Sequence, residues 1–279
     1  MFHRRLLAVA LVNTATHVSA FGFLQPVNLH RAAFFVSRAS SSESTSSSLS
    51  TTMIQGPPLP AQDTTTKRLF LERHGEVMNP GGNRPVFYGS QDVSLSPLGE
   101  QEAQAAAAYL QQYELSAVFA SPLKRAIYGA EKVATAQPNV DSVTILEGFT
   151  ELDRGAWRGK TKGEIGQDML ARFDACDPSA TPKGGESYPQ LKERVLDALS
   201  TALSQMEPGS AGAIVSHLQV TRCMLSEALG IPTEKMTELP IATASVTCVE
   251  YDADNTPSQV HFQSFKPDVG LRRAKDAAN

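Results

Sequence analysis

The chain has 279 residues, 41% of them hydrophobic and 19% charged, enough for one well-buried domain or two small ones. Its formal charge of -4 is split: residues 1–66 hold four arginines against two acids, so the remainder carries -6. An acidic body without a basic stripe excludes a nucleic-acid binder, no apolar run is long enough to span a bilayer, and three cysteines without CxxC spacing suggest neither a disulfide framework nor a zinc site.

Residues 1–20 read as a signal peptide: Arg4-Arg5, a short apolar core from Leu6 to Val12, then small residues to Ser19-Ala20. Phe21-Gly22-Phe23 follows, and no acidic residue precedes Glu43. With the serine-rich run from Ser40 to Ser50, residues 21–65 form a transit-like, disordered segment. This arrangement resembles the bipartite plastid presequence of algae with secondary plastids, and the rival destination is the mitochondrion. The expected domain is 66–266, followed by a polar tail at 267–279.

From Lys67 short apolar runs alternate with helical stretches. The pattern predicts strands at Arg68–Leu71, Ala117–Ala120, Val143–Leu146, Ala211–Val215, Val246–Tyr251 and Val260–Phe265. Helices are expected from Ser96-Pro97 to about Gln112, over Lys124–Thr135, near Lys162–Phe173, over Gln190–Met206 and from about Val220 to Leu229. Strands alternating with helices predict an α/β fold, a three-layer α/β/α sandwich with a mostly parallel sheet. His261 lies in an alternating strand and reads as a surface residue.

Three of these strands run directly into chemistry-bearing residues: Arg73-His74-Gly75-Glu76, Ser121-Pro122-Leu123-Lys124-Arg125-Ala126 and Ser216-His217. In an open α/β sheet, the loops at the carboxyl ends of the strands line the ligand crevice, so these cationic and imidazole groups share one rim. These segments, with Glu151-Leu152-Asp153-Arg154-Gly155-Ala156-Trp157-Arg158-Gly159 between the second and third, resemble the histidine phosphatase superfamily. The superfamily also holds phosphoglycerate mutase and fructose-2,6-bisphosphatase, and the match runs from about Lys67 to Phe265.

The resemblance implies a phosphoglycerate mutase-like fold and assigns roles. His74 attacks phosphorus and becomes a phosphohistidine, while Arg73, Arg125 and His217 hold the phosphoryl oxygens. Glu151 protonates the leaving oxygen and later activates water. No cofactor or metal is expected, and the expected partner is a small phosphorylated metabolite. Asn79 comes one position early for the family's pocket asparagine, and Leu218 stands where glycine usually follows the late histidine. Glu186 and Ser187 could contact substrate, or with Tyr188 simply open a helix. Arg154 occupies the position of a tyrosine in the mutases, and Arg154, Arg158 and Lys162 could bind substrate or face solvent. Hydrolysis of a sugar or short-chain phosphate ester is expected, with phosphoglycerate mutase and a catalytically dead phospho-ligand-binding protein as alternatives.

Overall fold

The computed structural model describes residues 54–267. Residues 1–53 and 268–279, and with them the signal-peptide, transit and tail expectations, lie outside the described residues. Strand β1 (Lys67–Arg73) is buried on both faces, as a continuous apolar run between helical layers must be. Its odd and even residues serve two cores. Leu69 and Leu71 join the cluster of Phe149, Leu152, Trp157, Phe173 and Leu191, whereas Phe70 joins that of Tyr109, Leu110, Val118 and Val133.

The other strands are β2 (Leu115–Ala120), β3 (Val143–Ile145), β4 (Ala211–Ser216), β5 (Val246–Tyr251) and β6 (Pro257–Phe265). They form one sheet in the order β3-β2-β4-β1-β5-β6. The pairs β3–β2, β2–β4 and β4–β1 are parallel, and β5 alone runs against the rest. Helices α1 (Pro97–Leu110) and α2 (Lys124–Thr135) pack together on one face. The other face carries α3 (Lys162–Ile165), α4 (Gln167–Asp174), α5 (Tyr188–Ser204) and α6 (Leu218–Ala228). This is the expected α/β/α sandwich.

Local chemistry sets the boundaries. The Ser96 hydroxyl accepts from the Gly99 amide and opens α1 with Pro97 at its first position. The single helix expected near Lys162–Phe173 is two, because Gly166 breaks it at φ 96°. His261 differs from its surface reading: its ring is buried and contacts the Glu250 carboxylate at 2.9 Å.

Residues 54–65 depart from the disorder expected of them. Ile54 and Leu59 pack against the α1/α2 core, Arg68 donates to the Pro60 carbonyl, and Gln62 donates to that of Ser210. From Ile54 onward the chain lies on the body, because these two apolar side chains and the free backbone acceptors give it somewhere to dock.

Candidate active site

Register brings the three strand-end loops together. Arg73 pairs with Ser216 and Ala120 with Val215, so β2, β4 and β1 end side by side. The ladder runs one residue beyond the strands, with the His74 amide donating to the Ser216 carbonyl and that of Ser121 to Val215. Gly75 permits the turn that follows: a Cβ there would lie 2.2 Å from the Gly99 carbonyl oxygen at the start of α1. That contact gives a physical reason for glycine after Arg-His.

His74, Arg125, His217 and Glu151 are exposed by 2%, 1%, 0% and 9%. The Arg125 Nε donates to His74 Nε2 at 3.3 Å. Because arginine cannot accept, Nε2 carries a lone pair, and His74 Nδ1–H donates to the Gly75 carbonyl at 2.6 Å. Burial, then the charges of Arg125 and Arg73, hold the His74 pKa well below the ordinary imidazole value. The result is a neutral imidazole with its nucleophilic lone pair facing a guanidinium. Arg125 itself is anchored by donation to the Gln91 and Gly89 carbonyls at 2.6 and 2.8 Å. Arg73 donates to the Ile241 carbonyl at 2.7 Å.

The rings of His74 and His217 meet edge to face, with centroids 5.1 Å apart. His217 Nε2 lies 2.6 Å from the Ser121 hydroxyl, which already accepts from the Leu123 amide. With the hydroxyl proton donated to Nε2, the His217 proton sits on Nδ1, a buried nitrogen without a partner among the described residues. Burial first, then Arg125, His74 and Arg73, depress the His217 pKa strongly. Ser121 is a partner that sequence reading did not assign, although its place at a strand end is a signal.

Glu151 follows the single 3-10 turn Glu147–Phe149 and reaches the start of α6. One carboxylate oxygen accepts from the Leu152 amide at 2.8 Å, the other from the Gln219 amide at 3.4 Å. It lines a cleft of about 350 Å³ with Ser90, Asp153, Glu186 and Arg194.

The remaining expected contacts are otherwise engaged. Glu186 is gripped by Arg194 through both oxygens and also accepts from the Asp153 amide at 2.9 Å. Arg194 further donates to the carbonyls of Gly148 and Thr150, each at 2.8 Å, so the pair braces the Glu151 loop. The Ser187 hydroxyl caps α5 in a capping box with Gln190. The Asn79 side chain closes its own turn, accepting from Gly81 and donating to Arg84. Arg158 is paired with Asp153 and donates to the Ser90 hydroxyl.

Comparison with known proteins shows the family. The bifunctional protein Rv2228c of Mycobacterium tuberculosis is 32% identical over 197 residues, 70% of this chain and 53% of the relative. The chain thus spans about half the length of the first curated relatives it matches. A 2,3-bisphosphoglycerate-dependent phosphoglycerate mutase of Cytophaga hutchinsonii is 28% identical, covering 66% of this chain and 88% of its own. A glucosyl-3-phosphoglycerate phosphatase of Mycolicibacterium vanbaalenii is 30% identical, covering 60% and 76%. Among solved structures, Bacillus stearothermophilus YhfR superposes with a TM-score of 0.63 at 28% identity, over 71% of this chain and 97% of that one. The relatives include both phosphatases and mutases. The family profile described as histidine phosphatase superfamily (branch 1) matches residues 69–263, and the chain belongs to that superfamily.

Proposed function

We propose that the chain is a phosphatase that hydrolyses a small phosphate monoester through a phosphohistidine on His74. The observation that carries this reading is the fixed tautomer of His74, whose Nε2 lone pair faces Arg125. The bound phosphoryl group would sit among Arg73, Arg125, His217 and His74, its oxygens taking hydrogen bonds from both guanidiniums and the His217 Nδ1–H. Nε2 attacks phosphorus as the bond to the leaving oxygen breaks, and protonated Glu151 gives its proton to that oxygen. The Glu151 carboxylate then takes a proton from water as its oxygen bonds to phosphorus. The P–N bond breaks, inorganic phosphate leaves, and His74 and Glu151 return to their starting states.

A mutase must keep water from the phosphorylated enzyme and grip its substrate's second group. The stretch from Thr161 to Lys183 is filled by α3, α4 and a single turn at Pro178–Ala180, and holds no Arg-Arg pair for that purpose. Phosphate release from a panel of phosphorylated metabolites tests the assignment. Turnover primed by 2,3-bisphosphoglycerate that exceeds phosphate release would make the chain a mutase. No turnover of any ester, a generic aryl phosphate included, would make it a binding protein.

We further propose, from the sequence of residues 1–65, that the protein is addressed to a plastid. A fluorescent reporter carrying this segment tests it in an alga with secondary plastids, and a mitochondrial or secreted reporter would refute it.

A further inference from the structure

The peptide unit between Gly75 and Glu76 is held at both ends. Its carbonyl accepts from His74 Nδ1–H at 2.6 Å, and its amide donates to Glu102 Oε2 at 2.8 Å. One rigid plane thus joins the nucleophile's ring to a carboxylate on α1. The first turn of α1 interlocks with this loop, since a Cβ at Gly99 would collide with the Glu76 carbonyl oxygen. Glu102 stands three residues further along, on the same helix face, and so reaches the Glu76 amide. Ser96, the cap of α1, holds Glu76 as well: its amide donates to the Glu76 carbonyl at 2.9 Å and its hydroxyl to the side chain at 2.6 Å.

Glu102 is 5% exposed, and its second oxygen is engaged too. Oε1 accepts from the Lys266 ammonium and from the Thr243 hydroxyl at 3.3 Å, while Lys266 also donates to the Thr243 oxygen at 3.0 Å. Both oxygens act as acceptors only, as in an ionised carboxylate, and Lys266 supplies the counter-charge. Thr243 precedes Ala244, whose amide donates to the His74 carbonyl at 3.1 Å, so the same cluster steadies the nucleophile's own backbone.

We infer that Glu102 is a positioning residue that fixes the His74 tautomer and assists its attack, acting through the Gly75–Glu76 peptide. A carboxylate at the amide end polarises the peptide, and the carbonyl at the other end becomes a stronger acceptor. As Nε2 bonds to phosphorus, positive charge spreads over the imidazole, and Nδ1–H leans harder on that acceptor. No proton moves: it stays on Nδ1 while the Nε2 lone pair forms the P–N bond. Against burial, Arg125 and Arg73, which depress the ring's pKa, the Gly75 carbonyl is the influence that favours positive charge there. The inference rests on the phosphohistidine reading and adds a group that works from behind the ring.

The test combines phosphate release with NMR of the full chain, its histidines labelled with heavy nitrogen. Glu102→Gln keeps the shape of the side chain and removes its charge. Its kcat/KM should fall roughly tenfold on alkyl and aryl phosphates alike, because attack by His74 is common to both. Its His74 proton should stay on Nδ1 but resonate upfield, as the bond to Gly75 weakens. Glu102→Leu, which offers no acceptor, should lose more and mix the two tautomers. Wild-type turnover in Glu102→Gln overturns the inference. A loss of rate with the Nδ1 proton unshifted also overturns it, since Glu102 would then act through packing alone. The NMR signals need no turnover, so the two readings fail separately. A shifted proton in a chain that hydrolyses no ester removes the phosphatase reading and leaves the link from Glu102 to His74 standing, and an unshifted proton with phosphate released does the reverse.

Discussion

The Nε of Arg125 points at the Nε2 of His74 across 3.3 Å, so the phosphate clamp and the nucleophile's lone pair face one another directly. Both are buried, and His217 closes the same space. A site assembled this way stays neutral at its imidazoles at the expense of stability in acid, which leads to the first prediction.

His74 and His217 have pKa values well below the ordinary 6.5, and Glu72 is pushed from 4.5 up to about 8 by burial. Below pH 6.5 the unfolded chain takes up protons on His74 and His217 that the folded chain resists, while above 4.5 it holds one fewer on Glu72. With two histidines set against one carboxyl, stability should rise as pH climbs toward 6.5. From 6.5 to about 8 only the Glu72 difference remains and the sign reverses, so these groups place the stability maximum near pH 6.5. Glu72→Gln should abolish the decline above pH 6.5 in chemical unfolding curves. An undiminished decline in that variant would remove Glu72 as its source.

Glu151→Gln should lose roughly 100-fold or more in turnover of alkyl phosphates, whose leaving oxygen needs a proton in the transition state. On aryl phosphates with good leaving groups the loss should be much smaller. Equal losses on the two kinds of ester would take Glu151 out of the donor role.

A chain starting at Thr64 forfeits the packing of Ile54 and Leu59 and the bonds of Pro60 and Gln62. Two half-buried aliphatic side chains contribute about 1–2 kcal/mol together, so its melting temperature should fall by about 3–8 °C against a chain starting at Ile54. Equal melting temperatures would show that the segment adds nothing to stability.

The part of the site carried by strand ends is legible in the sequence. His74, Arg125 and His217 each follow an apolar run within a few residues, and a parallel sheet gathers such ends on one rim. Arg194 is not legible, because Lys192-Glu193-Arg194 inside a helix reads as a solvated face. Its partners lie 8 residues away at Glu186 and 44 to 46 away at Thr150 and Gly148. Glu72 is hidden in the same way. It interrupts an apolar strand, and its burial is completed by α2, where a Cβ at Gly129 would lie 3.3 Å from its carboxyl oxygen. Ile54 and Leu59 are too sparse to show a period, so the docked segment before β1 reads as a spacer.

The most direct test of the account is the fate of phosphorus during turnover. Rapid quench with a labelled ester should trap phosphate on the protein in an acid-labile, base-stable linkage, and peptide mapping should place it on His74. In His74→Ala both the trapped label and turnover should vanish. Label on another residue, or near wild-type turnover in His74→Ala, would contradict the account.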